Sequence, residues 1–129
     1  MLNLLALKNA LLAGAVCTVL STFLAPALPA APPATGYDMT PYETMAKESL
    51  KLVAAGDMNG ALKKARELEA KWDAETQDMR AADLALWDPI DKQMDAAIAA
   101  ITSGDAKKAT DEWKSYLEKT ARVPKPEKK

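Results

Sequence analysis

The chain has 129 residues, 49% of them hydrophobic, with 17 basic and 18 acidic side chains and no histidine. Without an imidazole there is no Ser–His–Asp or Cys–His catalytic unit, no haem held by a proximal histidine and no His-based zinc site. The length allows one small domain, and low aromatic content beside many Ala, Lys, Glu and Leu residues favours helix.

The apolar content is concentrated at one end. Between Met1 and Ala30 the sole charge is Lys8, and an apolar run from Ala10 to Leu24 leads into Ala25-Pro26-Ala27-Leu28-Pro29-Ala30. A basic start, an apolar core of about 15 residues and a small-residue exit describe a secretory signal peptide over residues 1–30. Ala25-Pro26-Ala27 places cleavage after Ala27, with cleavage after Ala30 as the rival. A retained membrane anchor is the alternative, but the run falls short of the roughly 20 residues a spanning helix needs. Thr18, Ser21 and Thr22 also interrupt it. Cys17 follows Val16 inside the run, so it does not read as a lipid-modified cysteine and leaves with the signal. The exported chain, periplasmic or secreted, then holds no cysteine and stands without disulfides.

Residues 31–39, with Pro32, Pro33 and Gly36, read as a linker. Beyond Ala30 the chain carries 16 basic and 18 acidic residues, too balanced for electrostatic binding to nucleic acid. A helical domain is expected over 40–121. Thr40 caps a first helix with Pro41 at its first position, and Glu43 completes a capping box. Tyr42, Met45, Ala46, Leu50 and Val53 form its apolar stripe. Gly56 ends it in the left-handed conformation, and Asp57 caps a second helix. The second stripe runs through Met58, Ala61, Leu62, Ala65, Leu68, Trp72 and Met79. Residues 77–87 either extend this helix or open the third, with a kink at Pro89. Asp88-Pro89 reads as the next cap, and Trp87, Ile90, Met94, Ile98 and Ile101 as the third stripe. After Gly104-Asp105 a fourth helix carries Ala106, Ala109, Trp113, Tyr116 and Leu117. Residues 122–129 read as a basic, disordered tail.

The punctuation repeats. Sliding the chain by 48 residues puts Pro41 on Pro89, Gly56 on Gly104, Asp57 on Asp105, Ala61 on Ala109 and Lys71 on Lys119. Two tandem hairpins, 40–87 and 88–121, are therefore expected to form an antiparallel four-helix bundle. The turns Gly56-Asp57-Met58-Asn59-Gly60-Ala61 and Gly104-Asp105-Ala106-Lys107-Lys108-Ala109 resemble those of tetratricopeptide-type hairpins. The resemblance implies close helix approach at the alanines and, through stacked hairpins, a peptide-binding groove. The spacing departs from that family's 34, and its Trp-x-x-Leu-Gly-x-x-Tyr pattern is missing. No residue-level role carries over.

Asp88, Asp91 and Asp95 lie within about 60° of one another on a helix and are the residues best suited to a divalent cation, above all if Glu69 or Asp73 faces them. The helix N-terminus accounts for Asp88 and Asp91 without a ligand, and Lys92 beside them opposes a cation. No metal is therefore assigned. Trp72, Trp87 and Trp113 sit on inward stripes and read as core rather than as a stacking box. Met45, Met58, Met79 and Met94 read as core filler. The serines, threonines and carboxylates show no catalytic spacing. No cofactor and no catalysis are expected. The sequence reads as an interaction module for an envelope protein or peptide, with homodimerisation through leftover apolar surface compatible with so small a core. The alternative is a carrier of a small ligand or divalent cation, held by the acidic edge of the third helix or by the tryptophan-lined core.

Overall fold

The computed structural model describes residues 36–128, so the expected signal peptide, linker residues 31–35 and Lys129 lie outside the described residues. Among the described residues there are five α-helices and no strand: α1 (Thr40–Ala54), α2 (Met58–Glu75), α3 (Gln77–Ala82), α4 (Leu84–Thr102) and α5 (Ala106–Ala121). The all-α expectation holds, with one helix more than the stripes predict.

The two hairpin turns are built alike. Gly56 (φ +77°) and Gly104 (φ +75°) are both left-handed. The Gly56 N–H donates to the Val53 carbonyl and the Asp57 N–H to that of Leu52; Gly104 and Asp105 repeat this on Ile101 and Ala100. These paired bonds satisfy helix-end carbonyls that would otherwise lack partners. Asp57 then accepts the Gly60 N–H at 2.8 Å and Asp105 the Lys108 N–H at 2.9 Å, capping α2 and α5. Ala61 and Ala109, one turn in, are wholly buried.

Two expected helix starts are corrected. Thr40 does not form a capping box with Glu43: Met39 occupies the cap position, and Asp38 accepts the Thr40 N–H at 3.0 Å. An ionised carboxylate is the stronger acceptor for that amide, and its bonds to Thr40 hold the Asp38 carboxyl below its ordinary range. Asp88 does not cap the third stripe either. The helix begins at Leu84, with Asp83 accepting the Leu86 N–H at 2.9 Å, and Pro89 lies inside it. The carbonyl that Pro89 leaves without an amide partner belongs to Ala85, an exposed residue, so water can serve it. The open segment resolves at Thr76. Its hydroxyl donates back to the Trp72 carbonyl at 2.7 Å, α2 stops, and Gln77–Ala82 forms the short α3.

α1 packs most extensively on α2, and α4 on α5; α1 also lies along α5 and α2 along α4, while α3 leans on α4. The predicted stripes supply the core, except that Ala106 is exposed. Met39, outside the predicted stripes, is buried too. At the centre, the Trp113 indole N–H donates to Ser49 Oγ (3.1 Å), and Ser49 Oγ donates to the Ala61 carbonyl (2.9 Å). This wholly buried relay joins α5, α1 and α2.

The two ends of the described segment are clasped together. Tyr37 donates its N–H to the Pro124 carbonyl at 2.7 Å, and Val123 is 3% exposed. Gly36 (φ +68°) lies so close to the Lys125–Pro126 backbone that a Cβ there would collide with it. Residues 123–126 thus dock on a strap, within the segment 122–129 that the sequence reads as a disordered tail. Residues 36–39 of the expected linker form that strap.

Ser49→Ala leaves the buried Trp113 N–H unpaired, which costs about 1–3 kcal/mol and lowers Tm by several degrees in a domain of this size. In a double-mutant cycle, Ser49→Ala with Trp113→Phe costs less than the sum of the two single changes, because the second removes the orphaned donor. Strict additivity in thermal melts would contradict the relay.

Candidate functional site

The structure divides the three tryptophans. Trp72 and Trp87 stack at 5.9 Å between ring centroids, with Tyr42 edge-on to Trp72 at 5.3 Å. Trp113 packs instead against Tyr116, edge-on at 5.4 Å. Each indole N–H is satisfied: Trp87 donates to Thr76 Oγ1 (2.7 Å), Trp113 to Ser49, and Trp72 to Asp91 Oδ1 (3.0 Å). Buried, stacked and hydrogen-bonded in this way, they anchor the core. Met39, Met79 and Met94 are buried, and Met45 and Met58 pack against the same core.

The three aspartates are not gathered into one site. Asp88 pairs with Lys92 at 2.7 Å, Asp91 faces Trp72, and Asp95 turns to α2. Among the described residues no group of three or more acidic, histidine or cysteine side chains is arranged to hold a metal ion. What does form is an acidic seam between α2 and α4. Asp91 feels Asp95 and Asp73, and Asp95 feels Glu69 and Asp73. Glu69 and Asp73 stand one turn apart on α2, as do Asp91 and Asp95 on α4, so the four carboxylates form two short facing rows. Two arginines answer them in part. Arg66 is bonded to Glu69 at 2.8 Å, and Arg80 lies over the Trp87 ring, 4.9 Å from its centroid.

Burial raises both aspartates above the ordinary carboxylate range. For Asp91 the next cause is Asp95, and the Trp72 bond pulls the other way; for Asp95 the next causes are Glu69 and Asp73. Beside Asp95 a shallow, open groove of about 470 Å³ is lined by Arg66, Glu69, Ile98, Ala99 and Thr102 of α2 and α4. The sequence offers all four carboxylates as candidates. It carries no local sign of the two arginines beside them or of the groove, because both depend on how α2 and α4 come together.

Another polar side chain stands out. The Tyr116 hydroxyl is fully buried and without a hydrogen-bond partner among the described residues. Desolvation, then the neighbouring Tyr42 and Glu43, push its ionisation far above the usual tyrosine range.

The folded chain holds the Asp91 and Asp95 protons more tightly than the unfolded chain does. Their contribution to stability is therefore fully present below the ordinary aspartate value of about 3.9, and it is lost as pH rises through the raised values. Asp91→Asn keeps an oxygen for the Trp72 N–H and removes the repulsion. It should raise Tm at neutral pH by a few degrees, on the order of 0.5 kcal/mol after solvent screening, and leave Tm unchanged near about pH 3. An equal shift at both pH values would rule out like-charge repulsion as the cause. No protein-family model, curated protein or solved structure matches this chain, so its chemistry is read from these side chains.

Proposed function

We propose that this protein is an exported, non-catalytic interaction module, an antiparallel four-helix bundle of two hairpins with α3 as an added turn. Its α2–α4 groove receives a basic segment of an envelope protein or peptide. The observation that carries this reading is the groove beside the seam, where apolar Ile98 and Ala99 meet Asp95 and the Arg66-paired Glu69, with Asp73 and Asp91 one turn further along the same two rows. A partner bearing lysine or arginine beside a small apolar residue satisfies both features at once. Charge attraction of this kind speeds encounter and fixes register more than it adds raw affinity, and it weakens with salt. An arriving cation also favours the ionised forms of Asp91 and Asp95, so binding lowers their raised ionisation range. The likeness of the Gly-Asp-x-x-x-Ala turns to tetratricopeptide-type hairpins supports a peptide-directed role.

Trp72, bonded to Asp91 at the seam, is a built-in fluorescence reporter. Titration with a short peptide of alternating lysine and alanine should shift the tryptophan emission, with a Kd of about 10–100 μM at low salt. Affinity should fall at least about tenfold in high salt, and Asp95→Lys should abolish the response. The glutamate-for-lysine peptide should give no response. Equal binding of both peptides, or indifference to Asp95→Lys, refutes the reading. Sedimentation of the titrated samples separates peptide capture from self-association, and a response that tracks dimer formation alone also refutes it.

A further inference from the structure

A second cleft stands on other elements, where the strap meets the segment after α5. It has a volume of about 410 Å³, within the range of small-molecule sites. The strap residues 37–39, the first turn of α1, Thr120 at the end of α5 and Val123, Lys125, Pro126 and Lys128 beyond it form its walls. Buried Met39 and Val123 give it an apolar base. Its charges are segregated. Asp38 and Glu43 stand on the strap and α1, and Lys125 and Lys128 stand on the segment after α5.

Among the described residues no ion pair joins these acids to these lysines. Lys125 is nonetheless near enough to help lower the Asp38 carboxyl. The Tyr37–Pro124 hydrogen bond and the close approach of Gly36 to Lys125 and Pro126 fix one backbone against the other. Surface ion pairs that do not close leave room for a molecule that satisfies both ends. Behind the same wall lies the unpartnered Tyr116 hydroxyl, close enough to Glu43 to feel its charge and one turn from Thr120 on α5.

We infer that this clasp cleft binds a small zwitterion, with its ammonium against Asp38 and Glu43 and its carboxylate against Lys125 and Lys128. Free amino acids and short peptides share that chemistry, and they differ in the distance between their charged ends.

The test uses calorimetric titration of the full chain with alanine, alanyl-alanine and trialanine, and with the N-acetylated and amidated forms of each. At least one unblocked compound should bind with a Kd of about 0.1–1 mM, and blocking either end should weaken it about tenfold or more. The length that binds tightest identifies an amino acid or a peptide as the ligand. Glu43→Gln should weaken the amine-bearing compounds and spare the N-acetylated ones. Lys125→Met should weaken the carboxylate-bearing compounds and spare the amides. Thermal melts of both variants, expected to match the parent because neither side chain is in the core, confirm that the fold is intact. The inference is overturned if no unblocked compound binds below about 10 mM, or if a doubly blocked compound binds as well as its parent.

Discussion

The packing of this protein depends on one buried hydroxyl. Ser49 accepts from Trp113 and donates to the Ala61 carbonyl, so α1, α2 and α5 are registered against each other at a single atom. Apolar stripes alone allow helices to slide or rotate by part of a turn at little cost. A fully buried donor that must find its acceptor does not, because an unmade bond in the core costs far more than a satisfied one contributes. With no cysteine and no histidine after Ala30, neither a disulfide nor an imidazole-held metal is there to fix that register in their place.

The relay also shows how two similar hairpins make an asymmetric core. In the 48-residue register Ala65 corresponds to Trp113, Leu68 to Tyr116, and Trp72 to Thr120. All six side chains are buried. Bulk is placed late along α2 and early along α5, so the largest rings occupy different levels. Tyr42 and Trp87 gather around Trp72, and Tyr116 packs on Trp113. Exchanging large for small at corresponding positions is how a duplicated pattern fills one interior without voids or collisions. Ala46, whose counterpart is Met94, follows the same rule.

Features that arise within a turn or two of chain were legible in the sequence. The left-handed glycines, the Asp57 and Asp105 caps and the stripes follow from local backbone sterics and helical period, and the structure reproduces them. Where a proline inside a helix looks like a helix start, the sequence misleads. Asp88-Pro89 reads as a cap, whereas α4 begins at Leu84 with Asp83 as its cap, and the Thr76 hydroxyl accepts the Trp87 indole N–H of this added turn. The docking of Val123 and Pro124 had no local signature, since it depends on a strap more than 80 residues away. The acidic seam falls between these cases. Its residue types and spacing were visible, and their facing across α2 and α4 was not.

The seam differs from the rest of the fold in one respect. Trp87 and Trp113 give their N–H groups to neutral hydroxyls, which satisfy the donor without placing a charge in the interior. Trp72 gives its N–H to Asp91, whose charge is disfavoured both by burial and by Asp95 and Asp73. A neutral oxygen at that position would serve the indole equally well and spare the repulsion, so the fold does not require the charge. The half-buried carboxylate adds attraction for a cation from outside, stronger there than at an open surface because less water screens it. On the function proposed above, the place where this chain departs from its own rule of neutral acceptors is the place where a basic partner would gain most, with the adjoining groove to receive it.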